Sequence, residues 1–170
     1  VSELDFVEGQ IVTVTKRTEI TYVRSDADGN ITSAPNELEV TVSNGIKDVT
    51  SNYDISYVYG ELTVKKRPVT ITTSDAAWVY NADIHTCAEH EVINLVEGHV
   101  TSAHGLAGVK NVADSGTANT MQINVYDVEG KDVTPNYDMT YEYGTLNVIP
   151  RPLQVKANNK QKEYDGEALL

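Results

Sequence analysis

The stretch Lys47-Asp48-Val49-Thr50-Ser51-Asn52-Tyr53-Asp54-Ile55-Ser56-Tyr57-Val58-Tyr59-Gly60-Glu61-Leu62-Thr63-Val64 decides the fold, because the chain contains it twice. The second copy, Lys131-Asp132-Val133-Thr134-Pro135-Asn136-Tyr137-Asp138-Met139-Thr140-Tyr141-Glu142-Tyr143-Gly144-Thr145-Leu146-Asn147-Val148, begins 84 residues after the first. Within each copy the period is two. Tyr53, Ile55, Tyr57 and Tyr59 share one face of an extended strand, as do Tyr137, Met139, Tyr141 and Tyr143, with Asp54 and Ser56 or Asp138 and Thr140 opposite. That is the pattern of a half-buried strand. Beyond Gly60 the apolar positions are Leu62 and Val64, and beyond Gly144 they are Leu146 and Val148, so parity slips by one residue at each glycine. A tight turn or bulge in a conformation that glycine tolerates predicts this slip and couples the two strands.

Working outward, Arg67-Pro68-Val69-Thr70-Ile71-Thr72 recurs as Arg151-Pro152-Leu153-Gln154-Val155-Lys156, and Tyr80-Asn81-Ala82 aligns with Tyr164-Asp165-Gly166, both again 84 residues on. Val7-Glu8-Gly9-Gln10 aligns with Val96-Glu97-Gly98-His99 at an offset of 89, so five extra residues are expected in the first copy, near the turn-rich run Ser25 to Asn30. Opened at Arg-Pro, the repeat divides the chain into residues 1–66, a first repeat lacking its opening strands; 67–150, a complete second repeat; and 151–170, the opening strands of a third. Proline fixes φ and holds the preceding residue extended, so each Arg-Pro pair reads as a short, stiff connection between modules. The chain starts at Val1 without a methionine and reads as an internal segment, with any secretion signal or wall anchor expected outside it.

Further strands are expected around Val12 and Val14; Leu38, Val40 and Val42; Val69 and Ile71; Met121, Ile123 and Val125; and Leu153 and Val155, separated by Gly-, Asn- and Asp-rich turns. The stretch Cys87 to Val96 is the place where a helical turn is plausible, since short apolar runs do not separate strand from helix. The fold expected is all-β: tandem small antiparallel sandwiches of Ig-like type, about seven strands each. The alternative is a β-grasp, ubiquitin-like module in which Cys87 to Val96 forms a helix on the sheet.

Composition narrows the function classes. Lys and Arg number 13 against 25 Asp and Glu, for a net charge of −12, and no basic cluster is longer than Lys65-Lys66-Arg67. Nucleic acid and anionic membranes are therefore poor partners, since both need concentrated positive charge. No window approaches the about 20 apolar residues of a membrane-spanning helix. Cys87 is the single cysteine, so no disulfide forms within the chain. Tyr supplies 10 residues against one Trp and one Phe, which suits sheets, where Tyr packs as a strand former with a polar tip.

The pattern Asn-Tyr-Asp-Ile-x-Tyr-x-x-Gly-x-Leu-x-Val, followed by Arg-Pro-Val-Thr-Ile-Thr and, in the third repeat, Lys162-x-Tyr164-Asp165-Gly166, resembles the MBG and YDG-type repeats of bacterial surface proteins and adhesins, including those of gut Firmicutes. The resemblance covers essentially the whole chain. It implies an extracellular protein, wall-attached or secreted, in which such modules form a stalk or carry adhesion. It supplies no catalytic or cofactor-binding residues. The matching positions, Tyr53, Tyr57, Gly60, Tyr80, Tyr137, Tyr141, Gly144, Tyr164 and Gly166, read as determinants of the fold. The second repeat departs from the pattern at Asn81-Ala82, where Asp-Gly is usual, which puts its local turn in question.

Candidate chemistry is sparse. His85, Cys87 and His90 offer nitrogen and sulfur to zinc, but their spacing matches no established zinc pattern and the first copy lacks counterparts, so solvated histidines are the preferred reading. Asp26-x-Asp28-Gly29-Asn30 lacks the distant glutamate of a calcium loop and reads as a hairpin turn. No nucleophile motif accompanies the histidines, and no enzyme or cofactor is expected. The tyrosine faces could stack on sugar rings, although alternate tyrosines are first of all cross-strand packing. Two functions are expected from this: a structural spacer projecting a distal domain, or a module adhering to mucin or another host glycan. Neighbouring repeats are the expected partners, and residues 151–170 could complement residues 1–66 of another molecule by strand addition.

Overall fold

The computed structural model describes residues 7–169, so the first six residues of the expected first repeat and the last residue of the third lie outside the described ones. The chain is all-β and sandwich-like, made of small, predominantly antiparallel sheets. Single 3-10 turns at Thr50–Asn52, Val112–Asp114 and Thr134–Asn136 are the helical segments among the described residues. Two compact units, each discontinuous in sequence, make up the fold. The first draws on Val1–Thr70, Asn94–Val100 and Asn124–Thr140; the second draws on Ile71–Ile93, Thr101–Ile123 and Tyr141–Leu170.

In the first unit the strands Ile11–Arg17 and Leu38–Ser43 pair antiparallel, with Val12 opposite Val42 and Val14 opposite Val40. The register shifts between Val14 and Lys16, and the extra residue, Thr15, donates its hydroxyl to Glu39 O at 3.2 Å. Arg24–Ser25 and Ile31–Thr32 form the hairpin expected around Asp28-Gly29-Asn30. The Asp26 carboxylate closes that turn, accepting from Asp28 N at 3.0 Å and Asn30 N at 2.8 Å, while Gly29 takes the left-handed conformation. Ala34–Asn36 pairs antiparallel with Gly60–Leu62. Elsewhere in this unit Val23 N donates to Asn136 Oδ1 at 2.7 Å, and Lys131 Nζ stands 3.6 Å from the centroid of the Tyr22 ring.

In the second unit Ala76–Val79 runs parallel to Thr145–Ile149, whose other edge takes Thr117–Ala118 antiparallel. The alternation of the closing strand Thr145–Ile149 points Leu146 and Val148 inward, where they pack with Val109, Trp78, Tyr80 and Cys87. Cys87 is a half-buried free thiol in that wall.

The opening strand Arg67–Thr73 lies between His90–Ile93 and the tyrosine strand Tyr137–Glu142. Its alternate residues Val69, Ile71 and Thr73 are buried. The helical turn considered for Cys87 to Val96 is therefore replaced by a strand at His90–Ile93, and the β-grasp alternative loses the helix it needs. Half-buried and exposed residues alternate there because the stretch supplies a ladder partner to the opening strand, and that tertiary demand outweighs local ambiguity.

Three local expectations are corrected. First, the tyrosine stretch is a regular strand only in the second copy; Asp54 to Tyr59 carries no strand and no backbone hydrogen bond to any described residue. Second, Leu153 and Val155 form no strand and are 86% and 85% exposed. Both failures have one cause: an extended segment with no neighbour leaves its backbone groups to water, so identical side-chain patterning does not make a ladder. Third, neither Gly60 nor Gly144 has a positive φ. A Cβ on Gly144 would lie 2.6 Å from Thr73 O and from Ser74 C and O, so this glycine is required by the close passage of the opening strand.

Candidate functional site

The duplicated stretch builds the same clamp twice. In the first copy Val7 N donates to the Tyr53 hydroxyl at 3.2 Å, and that hydroxyl donates to Gln10 Oε1 at 2.6 Å. In the second, Val96 N donates to the Tyr137 hydroxyl at 3.4 Å, which shares a 2.7 Å hydrogen bond with His99 Nδ1. The partners are the ends of Val7-Glu8-Gly9-Gln10 and Val96-Glu97-Gly98-His99, the landmark pair seen in the sequence. Gln and His at the fourth position both offer a side-chain acceptor, which explains why they interchange. Tyr137 is 5% exposed and Tyr53 is half-buried.

A second repeated device secures the turn before each tyrosine. Val42 N donates to Thr50 Oγ1 and Val125 N to Thr134 Oγ1, both at 2.8 Å. Thr50 N donates to Asp48 Oδ1 at 2.8 Å and Thr134 N to Asp132 Oδ1 at 2.9 Å. Hydrogen bonding from the threonine side chain, and then from its N–H, holds both carboxyls below the ordinary aspartate range. The equivalence of Val42 with Val125 sets an offset of 83 there, so the turn after Val125 is one residue longer than the turn after Val42. Sequence comparison missed this step because the turn residues themselves differ.

The outer tyrosines form a repeated aromatic surface. Tyr57 and Tyr59 stack with centroids 5.8 Å apart and planes at 18°, and Tyr141 and Tyr143 stack at 5.6 Å and 20°. Residues two apart on an extended chain point the same way, which places the rings side by side. Tyr57, Tyr59 and Tyr143 are exposed. Such paired faces offer a flat apolar platform with polar rims.

The histidines go separate ways. His85 stacks on Trp78 at 5.0 Å and bonds Asn81 Oδ1, His90 bonds Ala88 O and Thr101 Oγ1, and His99 belongs to the Tyr137 clamp. Among the described residues no group of three or more His, Cys, Asp or Glu is placed to hold a metal ion. Of the remaining signature residues, Tyr80 packs on the core made by Val109, Leu146 and Val148, whereas Tyr164 is 97% exposed and Gly166 turns with a φ of 85°.

Sequence reasoning also missed the role of Arg67. Its guanidinium forks onto Asn94, with Nε 2.6 Å from Asn94 O and a terminal nitrogen 2.7 Å from Asn94 Oδ1, and Asn94 Nδ2 donates back to Pro68 O at 2.7 Å. The Arg-Pro pair is thus anchored as well as stiff. Asn119 was missed too: fully buried, it donates from Nδ2 to Ser74 O at 2.9 Å, while its main-chain carbonyl accepts from Thr73 Oγ1 at 2.9 Å. No family model, curated protein or solved structure matches the chain.

Proposed function

We propose that the chain is a run of MBG/YDG-type repeats from an extracellular bacterial surface protein, wall-attached or secreted, and that it serves as a non-catalytic stalk between neighbouring repeats. The observation that carries this reading is the duplicated clamp. Tyr53 and Tyr137 place their hydroxyls on equivalent backbone and side-chain partners in both copies, so the repeated residues act in holding the module together. A spacer needs this, since each module must reproduce the same geometry for a stack to extend regularly. The acidity of the chain keeps such an array soluble and self-repelling. Small-angle scattering on recombinant chains of two, four and six repeats tests it: the maximum dimension should rise by a constant increment per repeat, and a globular scaling with mass would overturn it.

A second reading, adhesion to mucin or another host glycan, is favoured by the stacked pairs Tyr57/Tyr59 and Tyr141/Tyr143. Their flat faces suit the apolar face of a pyranose ring. A glycan array probed with a multi-repeat chain should then give signals that Tyr57→Ala with Tyr59→Ala reduces, and an array without signal would reject adhesion.

A further inference from the structure

Within the complete second repeat, residues 67–150, the segment that opens the module and the strand that closes it lie side by side. The opening segment passes through a break at Ser74 and Asp75 and continues as Ala76–Val79, and the last strand is Thr145–Ile149. The two run parallel, with Ala76 opposite Leu146, Ala77 opposite Asn147, Trp78 opposite Val148 and Val79 opposite Ile149. Strand direction decides how such a pair meets tension between the ends of its module. Where first and last strands are antiparallel, the entering and leaving ends sit together, and tension peels the ladder one bond at a time. In a parallel pair those ends lie at opposite ends of the ladder, so tension slides one strand along the other and strains all its bonds at once.

Both ends of this ladder are pinned. At the break, Asp75 Oδ1 accepts from Thr145 N at 2.6 Å and from the Thr145 hydroxyl at 2.9 Å. Gly144 N is shared between Thr73 O at 3.1 Å and Thr73 Oγ1 at 3.0 Å. Asn119 ties the same two segments together: its N–H donates to Gly144 O at 2.8 Å and its Nδ2 to Ser74 O at 2.9 Å, while its main-chain carbonyl accepts from Thr73 Oγ1 at 2.9 Å. Asn119 and Thr73 are 0% and 3% exposed, so water is kept from replacing these bonds as they lengthen. At the far end Tyr80 N donates to Ile149 O at 2.9 Å. On the other side of the last strand, Ser115 Oγ donates to Val148 O at 3.0 Å and accepts from Val148 N at 2.9 Å, which holds that strand in place while its neighbour is pulled.

We infer that the second repeat is a force-resisting element, whose mechanical clamp is the parallel pair Ala76–Val79 and Thr145–Ile149 together with the corner formed by Thr73, Asp75, Asn119 and Gly144. Tension enters the repeat at Arg67 and leaves it at Arg151, and the clamp meets it in shear. A spacer needs only regular geometry; a clamp adds resistance to being drawn out. The inference rests on the stalk reading for the direction of the tension, but its test reads the force that opens one repeat. The stalk itself is read from dimension against repeat number, so the two can fail separately.

Single-molecule force spectroscopy on the full chain decides it, with handles attached through pairs of introduced cysteines and Cys87→Ala in every variant so that no other thiol reacts. Lys66→Cys with Lys156→Cys, both at exposed positions, pulls the ladder from its two ends. Ala82→Cys with Lys156→Cys, also exposed, pulls it from the Val79 and Ile149 end alone. The opening force reports the unfolding barrier along each direction. At one pulling speed the first geometry should open at about twice the force of the second or more, because four register pairs yield together and not in turn. Asp75→Ala, at an exposed position, removes both bonds to Thr145 and should lower the force in the first geometry only, since peeling starts at the far end. Equal forces in the two geometries overturn the inference, and so does an Asp75→Ala chain weakened alike in both. Should that variant fail to fold, by circular dichroism, the two geometries with Asp75 intact decide alone.

Discussion

Ala82 occupies a conformation that suits glycine. Its φ is 70°, and Gly166, at the equivalent position of the third repeat, has a φ of 85°. A Cβ in the left-handed region costs about 1–2 kcal/mol. Ala82→Gly should therefore raise the unfolding free energy by about 1 kcal/mol, after allowance for the greater flexibility of glycine in the unfolded chain. Urea denaturation measures this, and an unchanged or lower midpoint would show that the turn is not strained. The substitution at Asn81-Ala82 was legible in the sequence as a departure from the repeat. Retention of the glycine geometry was not; the Asn81 side chain closes the turn around the exposed Ala82, accepting from Asp83 N at 3.0 Å. The tyrosines give a second comparison. Tyr137→Phe removes a hydroxyl at a 5% exposed site and leaves His99 without its partner, which should cost about 1–2 kcal/mol. Tyr53→Phe, at a half-buried site, should cost less, and equal losses in parallel melts would show that the clamp is insensitive to burial.

Elements that look alike in the sequence differ according to what lies beside them. Gly60 and Gly144 sit at matched positions, yet a Cβ would meet the Thr73–Ser74 backbone only at Gly144. Gly144→Ala should destabilise the second repeat by about 1–3 kcal/mol, the usual cost of overpacking, while Gly60→Ala should stay within about 0.5 kcal/mol in dilute solution. Chemical denaturation of the two variants side by side checks this, and similar losses would mean that the glycine acts through backbone conformation instead. The parity slip was visible in the sequence, but its cause was misread as a special φ, because a packing requirement from a strand 71 residues away leaves the same one-letter signature. In the same way, alternation at Leu153 and Val155 recorded a strand's capacity and could not record the lack of a neighbour.

Across the molecule the acidic residues set a pH dependence. Asp48 and Asp132 are held low by their threonines, Asp75 by the N–H and then the hydroxyl of Thr145, and Asp114 first by the N–H of Asn111. A carboxyl whose folded value is depressed stabilises the fold fully above its unfolded value, about 3.9, and loses that contribution as pH falls through the folded value. The urea midpoint should thus be level from about pH 7 to 5 and fall below about pH 4, with Asp48→Asn plus Asp132→Asn lessening the drop. A midpoint that does not fall between pH 5 and 2 would show that these hydrogen bonds contribute nothing to stability.

By itself the sequence determined the all-β class, the 84-residue repeat and the hairpin at Asp26, because periodicity, turn chemistry and duplication are local and survive in one dimension. Only the tertiary structure decided which copies of those motifs become strands. Tyr137–Glu142 has the opening strand Arg67–Thr73 beside it and forms a ladder; Asp54 to Tyr59 has the same alternation, no neighbour, and no ladder. A strand satisfies its backbone through another segment, so its existence is a property of the pair.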